Sequence, residues 1–257
     1  MITAGADVGS KTVKVVILKD GDIIGKGIVT AGLEVEGAWD EAWDASLKEA
    51  GITRDDIEKT VATGARLREV KGYDKEMSVV TADARGIHEI DPDVRTVLDV
   101  GAEEGRAIKV DANGKVPDFA VNEKCAAGAG AFMEAMSRAM QVSIEEFNEM
   151  SLKSEKDIPI NAQCAVFAES EVVSLVHEET PRPDICKAVC DGVSDRLASM
   201  ARRVVVDPKV AFIGGAAKGA GIQRALKEAL ELDEVLLPDN IEFIAAYGAA
   251  LTAADSK

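Results

Sequence analysis

The chain has 257 residues, of which 47% are hydrophobic and only 4% aromatic, and its formal net charge is −16 at pH 7. This length allows one large domain or two smaller ones, and the many small aliphatic residues favour an α/β protein over a β-sandwich. The negative charge disfavours nucleic acids and anionic membranes as partners. Because the opening segment does not read as a signal peptide, and no run of about 18 apolar residues follows, we expect a cytoplasmic protein.

Apolar periodicity predicts strands and helices in alternation along the chain. Two strands joined by an Asp-Val-Gly turn come first, and a second such pair begins near residue 97. After the first pair, the pattern predicts a helix at 37–50, a strand at 59–63 and a helix at 81–90. After the second pair, it predicts helices at 126–140, 143–153, 165–177, 183–203, 220–230 and 241–253, and strands at 210–215 and 234–238.

The two Asp-Val-Gly segments are similar enough to be copies of one unit. "GADVGSKTVKVVIL" at 5–18 and "VLDVGAEEGRAIKV" at 97–110 align with an offset of 92 residues, which places Asp7 on Asp99 and Lys14 on Arg106. A duplicated strand-turn-strand unit explains this match. We therefore expect two similar α/β lobes whose Asp-Val-Gly turns meet at one cleft.

The first turn, "DVGSKT" at 7–12, carries residue types that suit a phosphate ligand. Gly9 lets the backbone approach a ligand, Ser10 and Thr12 add hydroxyl groups, and Lys11 adds a cation. Asp7 at the strand end suits a metal bound through water. A hairpin turn that needs Gly only for its backbone geometry explains the same residues equally well.

The second turn is acidic where the first is basic and hydroxylated. Asp99, Gly101, Glu103 and Glu104 bring carboxylates to the corresponding positions. One turn for phosphates and a second for metal and water together predict a hydrolase cleft.

A third glycine cluster, "FIGGAAKGAG" at 212–221, follows a predicted strand and opens a helix. Gly214 and Gly215 are candidates for contact with a base or a phosphate. The spacing matches neither a Walker loop nor the dinucleotide pattern G-x-G-x-x-G. Near the end of the chain, Gly248 is interpreted as a residue of close core packing.

The four cysteines of this chain are expected to stay reduced. Cys125 and Cys164 each precede a predicted helix, where the helix dipole favours the thiolate form that binds metals, but a buried, inert thiol is an equally good interpretation. An iron-sulfur cluster needs four ligands, so either Cys186 and Cys190 or a twofold-related subunit would supply the other two. For Cys186 and Cys190, four residues apart beside an apolar helical stripe, we favour core packing.

These motifs resemble the ATPase family that contains the activator of 2-hydroxyacyl-CoA dehydratases and the ATP-binding subunits of benzoyl-CoA reductase, within the acetate kinase, sugar kinase, Hsp70 and actin superfamily. The Asp-Val-Gly turns alone are unspecific, whereas the two cysteine motifs are highly specific. The resemblance runs in order over nearly the whole chain, through "DVGSKTVK" at 7–14, "LDVGAEEGRAIKV" at 98–110, "NEKCAAGAGAFMEAM" at 122–136, "CAVFAESEVVSLV" at 164–176 and "FIGGAAKGAGI" at 212–222.

The resemblance implies two ribonuclease-H-like (actin-like ATPase) lobes around a nucleotide cleft, one formed by 1–95 with 241–257 and the other by 96–240. It also implies ATP or ADP with Mg²⁺, and one [4Fe-4S] cluster shared between two subunits that each supply Cys125 and Cys164. The implied partners are a homologous ATPase subunit in a homo- or heterodimer, a low-potential electron donor such as ferredoxin, and cluster-bearing subunits of a CoA-thioester reductase or dehydratase.

The residues assigned to the site follow from the motifs together with this resemblance. The catalytic candidates are Asp7, Asp99, Glu103 and Glu104. The cofactor-binding candidates are Gly9, Ser10, Lys11, Thr12, Lys14, Gly101, Gly128, Gly130, Gly214 and Gly215, of which Gly128 and Gly130 would leave room around the cluster. The metal ligands are Cys125 and Cys164.

One departure from the family pattern affects the expected activity. Dehydratase activators usually carry Gly-Gln-Asp after the second Asp-x-Gly, whereas this chain has Ala102, Glu103 and Glu104, which looks more like a benzoyl-CoA reductase ATPase subunit. We therefore expect an ATP-hydrolysing electron donor of the benzoyl-CoA reductase type. The alternatives are a homodimeric dehydratase activator, a small-metabolite kinase of the same superfamily, and a non-catalytic nucleotide-binding regulator.

Overall fold

The computed structural model of the chain describes residues 1–122, 130–160 and 165–256. By their internal contacts the residues form two compact units, Met1–Val94 with Val110–Pro117 and Glu242–Lys257, and Arg95–Lys109 with Asp118–Ile241. The sequence-based division differs in giving residues 110–117 to the second lobe and, by one residue at each boundary, in giving positions 95 and 241 to the first. Residues 110–117 group with the first unit because Gly114 packs directly on the His88 side chain. That the two units act as separate lobes stays a prediction.

The first unit contains a mixed five-stranded sheet. Its strands are β1 (Ile2–Val8), β2 (Thr12–Lys19), β3 (Asp22–Thr30), β4 (Lys59–Thr63) and β5 (Lys75–Glu76), in the order β3-β2-β1-β4-β5. The first three strands form an antiparallel meander, and β4 pairs parallel with β1. β1 is therefore central, and all its residues after Ile2 are buried.

Three helices complete this unit: α1 (Val35–Ala50), α2 (Val79–Ile90) and α8 (Ile244–Asp255). Glycines let them approach closely, since a Cβ at Gly5 of β1 would lie 2.0 Å from the Ala246 carbonyl oxygen of α8. A Cβ at Gly248 would lie 1.8 Å from the Ala82 carbonyl oxygen of α2. The interpretation of Gly248 as a close-packing residue is confirmed.

The second unit contains a four-stranded sheet with the same arrangement. Its strands are β6 (Thr96–Val100), β7 (Gly105–Lys109), β8 (Asp118–Asn122) and β9 (Val210–Ile213), in the order β8-β7-β6-β9. Again an antiparallel meander comes first, and β9 pairs parallel with the central strand β6. An isolated parallel bridge from Ala211 to Leu236 corresponds to β5 of the first sheet.

The described part of the second unit has five helices: α3 (Gly130–Ala139), α4 (Ile144–Ser151), α5 (Ala165–His177), α6 (Arg182–Arg203) and α7 (Ala220–Leu230). Ser143 and Glu146 form a capping box at the start of α4, which satisfies two backbone N–H groups there. The core joins the sheet to the helices through fully buried side chains that include Leu98, Phe132, Phe147 and Phe212. Among the described residues, no helix is long and apolar enough to cross a membrane.

The predicted helices and strands occur near their predicted positions, with three differences. The strand predicted at 210–215 ends at Ile213 because Gly214 turns to a φ of +90°. The strand predicted at 234–238 is only the bridge at Leu236. Strands β3, β5 and β8 were not predicted, although the Asp20-Gly21 and Asn113-Gly114 pairs before β3 and β8 are typical of hairpins.

Candidate functional site

The first Asp-Val-Gly turn brings a carboxylate and a cation together at the end of β1. Asp7 pairs in register with Lys14 across the β1–β2 ladder, and its Oδ2 atom lies 2.9 Å from the Lys14 Nζ. Both side chains are largely buried, with exposures of 11% and 14%. The Gly9 N–H donates to the Thr12 carbonyl over 3.0 Å, so a backbone hydrogen bond closes this turn.

The second turn repeats this arrangement with different side chains. Asp99 pairs in register with Arg106, and the Arg106 guanidinium donates to the Asp99 Oδ2 over 2.5 Å and also to Glu104. The Gly101 N–H donates to the Glu104 carbonyl over 2.9 Å, and Glu103 is exposed. The two copies therefore agree in register, in turn closure and in the presence of an ion pair.

A pair of glycines ends the strands that lie parallel to β1 and β6. Gly64 follows β4 with a φ of +116°, and a Cβ there would lie 2.3 Å from the Val8 carbonyl oxygen. Gly214 follows β9 with a φ of +90°, and a Cβ there would lie 2.4 Å from the Val100 carbonyl oxygen. Gly214 was predicted from the sequence and Gly64 was missed, although "TVATGA" at 60–65 and "VAFIGGA" at 210–216 share the signal of an apolar strand followed by Gly.

The remaining glycines of the third cluster serve helix packing. A Cβ at Gly219 would lie 2.2 Å from the Asn148 Oδ1, and one at Gly221 would lie 2.0 Å from the Ser151 Oγ, both on α4. Gly215 begins a short 3₁₀ turn, Gly215–Lys218, that places Ala217 in the core. Gly214 and Gly215 are thus the part of this cluster that remains a nucleotide-binding candidate.

The start of α3 is joined to the acidic turn by two backbone hydrogen bonds. The Gly130 N–H donates to the Gly101 carbonyl and the Ala131 N–H to the Ala102 carbonyl, each over 2.8 Å. A Cβ at Gly130 would lie 3.2 Å from the Gly101 oxygen, so a larger residue would press on this junction. The helix that follows residue 125 therefore begins against the turn that carries Glu103 and Glu104.

The cysteines divide into two groups. Cys125 and Cys164, together with Gly128, lie outside the described residues, and their roles stay predictions. Cys186 and Cys190 are buried in the core around α6, and burial raises the pKa of each thiol to about 12. Core packing is confirmed for this second pair. No group of three or more His, Cys, Asp or Glu side chains among the described residues is arranged to hold a metal ion.

Each turn, taken by itself, carries side chains of the kind that suit a magnesium nucleotide. Asp7, Asp99 and Glu104 offer carboxylate oxygens, which are the ligands that Mg²⁺ prefers, and Lys14 and Arg106 balance part of their charge. Ser10 and Lys11 occupy the tip of the first turn, and Thr12 is the first residue of β2. These are the residues that the sequence assigned to phosphate and metal.

The strand order β3-β2-β1-β4 in the first sheet corresponds to β8-β7-β6-β9 in the second, and each sheet carries a strand-turn-strand unit with a carboxylate-cation pair. This arrangement is that of the actin-like ATPase fold. The family model described as the BadF/BadG/BcrA/BcrD ATPase family matches residues 4–253. The chain belongs to this family. The resemblance and the fold class expected from the sequence are both confirmed.

Three proteins of known name show which members of the family this chain is similar to. The chain is 38% identical to the activator of lactoyl-CoA dehydratase from Anaerotignum propionicum over 98% of this chain and 97% of the relative. It superposes on the solved structure of the Acidaminococcus fermentans (R)-2-hydroxyglutaryl-CoA dehydratase component A with a TM-score of 0.94, at 35% identity, covering 99% and 98% of the two chains. A benzoyl-CoA reductase subunit from Thauera aromatica is 30% identical over 97% of this chain and 92% of the relative.

These identities allow a comparison of the two activities considered from the sequence, the benzoyl-CoA reductase subunit and the dehydratase activator. Identity over nearly the whole chain is higher with the dehydratase proteins than with the benzoyl-CoA reductase subunit. The preference for the reductase rested on three residues, Ala102 to Glu104. The family is therefore established, and the similarity favours the activator side of it.

Proposed function

We propose that this protein is an ATP-dependent, low-potential electron donor that activates a 2-hydroxyacyl-CoA dehydratase. The observation that carries the proposal is full-length similarity to dehydratase activators, at 38% identity and with a TM-score of 0.94. The paired Asp-Val-Gly turns support it, because each offers the carboxylate and cation that a magnesium nucleotide requires.

Each turn has its own task in this proposal. Ser10, Lys11 and Thr12 bind phosphate oxygens, and Asp7 holds magnesium through water while Lys14 fixes its carboxylate. Asp99, Glu103 and Glu104 hold the metal and the attacking water, with Arg106 fixing two of the three carboxylates. Gly214 and Gly215 contact the nucleoside, with Gly9 and Gly101 closing the two turns.

Cys125 and Cys164 provide half of the ligands of a [4Fe-4S] cluster, and a second ATPase subunit provides the other half. When bound, the cluster supplies a one-electron carrier. Cys125 and Cys164 would hold the cluster between two subunits, where solvent exposure and hydrogen bonds to the sulfur atoms would tune its potential when ATP changes the arrangement of the subunits. For one electron, about 59 mV corresponds to about 1.4 kcal/mol, so a lift of roughly 300 mV needs roughly 7 kcal/mol. Thermal fluctuation does not supply this free energy at a useful rate, so ATP must supply it.

A second candidate is the ATPase subunit of a benzoyl-CoA reductase. The observation in its favour is the Ala102-Glu103-Glu104 segment, in which Glu103 takes the place of the Gln usual in activators. The structure places Glu104 on Arg106 and leaves Glu103 exposed, so Glu103 is the carboxylate of this segment that is open to solvent. This candidate requires a stable complex with a sister ATPase subunit, whereas the activator is a free homodimer.

The test is anaerobic purification followed by iron analysis, electron paramagnetic resonance and two acceptor assays. We expect one [4Fe-4S] signal per two chains, and ATP-dependent activation of a 2-hydroxyacyl-CoA dehydratase by a substoichiometric amount of this protein with a low-potential reductant. Asp7→Asn should abolish ATP-driven activation of the dehydratase while the protein keeps its cluster. Cys164→Ser should abolish cluster binding while the protein still binds nucleotide. A stable complex with a sister ATPase that reduces benzoyl-CoA would replace this proposal with the second candidate. An iron-free protein that phosphorylates a small metabolite would refute both.

A further inference from the structure

The first Asp-Val-Gly turn is held from outside by two backbone hydrogen bonds. The loop of residues 31–34 joins β3 to α1, and its Ala31 N–H donates to the Lys11 carbonyl over 2.7 Å. On the other side of the turn, the Arg66 N–H donates to the Val8 carbonyl over 2.9 Å. Two carbonyl oxygens of the turn, whose partial negative charge would repel a phosphate, are therefore bound to donors of the first unit.

Arg66 also holds the loop 31–34 through its side chain. The guanidinium donates from Nη1 to the Gly32 carbonyl over 2.9 Å and from Nη2 to the Leu33 carbonyl over 2.8 Å. Glu69 fixes the same guanidinium through contacts of 2.8 Å to Nε and 2.7 Å to Nη2. One planar side chain thus joins two backbone carbonyls and a carboxylate, which the single charged atom of a lysine does not do with the same geometry.

The loop depends on these hydrogen bonds because its own side chains anchor it weakly. Residues 32–34 are exposed, and Leu33 is 99% exposed. Ala31 packs at the edge of the core, and the next buried residue is Val35, the first of α1. The chain between them is therefore positioned by its carbonyl groups, and the donor to those groups is Arg66.

The second turn is held at the corresponding place in a different way. There the first two residues of α3 donate their backbone N–H groups to carbonyls of the turn. A helix is rigid through its own internal hydrogen bonds, whereas the loop 31–34 has no such internal support. Arg66 lies two residues after Gly64, and the residue two positions after Gly214 is Ala216. The arginine is thus specific to the turn that is held by a loop.

We propose that Arg66 is a positioning residue for phosphate binding: by fixing the loop 31–34, it holds Ser10 and Lys11 in the conformation that receives the nucleotide. The inference rests on the proposed function, because it takes this turn to bind the phosphates. A loop that is already ordered in its binding conformation gives a higher affinity, because binding then requires less loss of conformational entropy. Arg66 therefore acts on the nucleotide through the turn.

The test compares Arg66→Gln with Arg68→Gln, which removes the same charge two residues away at an exposed side chain. In the nucleotide-free protein, Arg66→Gln should give faster amide hydrogen exchange at residues 9–12 and 31–34. In calorimetric titration with Mg²⁺ and the non-hydrolysable analogue ADPNP, it should raise the dissociation constant about tenfold. Arg68→Gln should leave the exchange rates and the dissociation constant at their wild-type values.

Arg66→Lys separates positioning from simple attraction between charges. It keeps the positive charge but not the planar fork, so we expect its affinity for ADPNP to stay close to that of Arg66→Gln. If the lysine restores the wild-type affinity, Arg66 acts by its charge and the positioning role is wrong. The role is also wrong if Arg66→Gln binds ADPNP as tightly as the wild type, or if it binds more weakly with unchanged exchange at residues 9–12.

Glu69→Gln is the variant that decides if Arg66→Gln does not fold. Its side chain is 48% exposed, so the change should not prevent folding, and it removes the carboxylate that fixes the guanidinium. Exchange and the dissociation constant should both rise, by a smaller factor than in Arg66→Gln, and wild-type values of both would refute the positioning role. A wild type that binds ADPNP but activates no dehydratase refutes the proposed function alone. A wild type that does not bind ADPNP refutes both.

Discussion

Gly64 and Gly214 occupy equivalent places at the ends of the two parallel strands, and each combines a positive φ with a backbone oxygen in the Cβ position. We expect Gly64→Ala and Gly214→Ala each to lower the free energy of unfolding by roughly 1–3 kcal/mol for backbone strain, with a comparable further cost for the steric overlap. Urea denaturation of each variant measures its total loss of stability.

Gly21 is the matched control for these two changes. It has a φ of +98° in the hairpin between β2 and β3, but nothing lies within 4 Å of its Cβ position. Gly21→Ala should therefore cost only the strain, about 1–2 kcal/mol. Equal losses at all three positions would show that the close approach of Val8 and Val100 has no energetic role.

Cys186 and Cys190 give a prediction about reactivity. Burial raises the pKa of each thiol from 9.0 to about 12, so the folded protein holds both in the neutral, unreactive form at about pH 8. Peptide mass spectrometry after alkylation should find them unlabelled in the native protein and labelled after unfolding. The contribution of these two shifts to the free energy of unfolding is fully present below pH 9. It is lost as the pH rises towards 12, because the unfolded chain then loses the thiol protons that the folded protein retains. Rapid labelling of either cysteine in the native state would contradict the buried assignment.

At the scale of elements, the packing of α8 on α2 depends on Gly248. Its Cβ position lies 1.8 Å from the Ala82 carbonyl oxygen, so Gly248→Ala must push the two helices apart. We expect a loss of roughly 1–3 kcal/mol in the free energy of unfolding, measured by urea denaturation. Gly37 in α1 has nothing within 4 Å of its Cβ position, and Gly37→Ala should instead gain up to about 1 kcal/mol. A gain at both positions would show that α8 does not need this close contact.

The helices were the elements best predicted from sequence, because apolar residues at helical spacing are a local signal. Strand β3 was missed because Gly25 and Gly27 interrupt its apolar pattern. In the structure both glycines lie against the backbone of α1, where a Cβ would come within 2.3 Å and 2.1 Å of carbonyl oxygens. Their role is thus set by a helix that follows later in the chain, which the strand's own sequence does not reveal.

At the scale of the whole molecule, the net charge of −16 should make stability depend on salt. The folded state holds its charges closer together than the unfolded chain does, and salt screens their repulsion. We expect the unfolding midpoint in scanning calorimetry to rise between about 20 mM and about 200 mM sodium chloride. A falling midpoint would show that attractive pairs such as Asp7–Lys14 and Asp99–Arg106 outweigh the net repulsion. The double variant Lys14→Gln and Arg106→Gln, which removes two cations, is expected to steepen the rise.

The sequence by itself determined the α/β class, the duplicated Asp-Val-Gly unit and the family, because periodicity, turn residues and motif spacing are features of short segments of sequence. The match of Lys14 with Arg106 could also be read from the alignment of the two copies. Only the tertiary structure decided that these cations pair with Asp7 and Asp99, since the antiparallel register places them opposite each other. It also decided that Gly64 is the counterpart of Gly214 and that Lys187 of α6 forms an ion pair with Asp157, with 2.8 Å between the Nζ and Oδ1 atoms. Parallel strands and ion pairs between residues tens of positions apart arise from folding, and no local pattern encodes them.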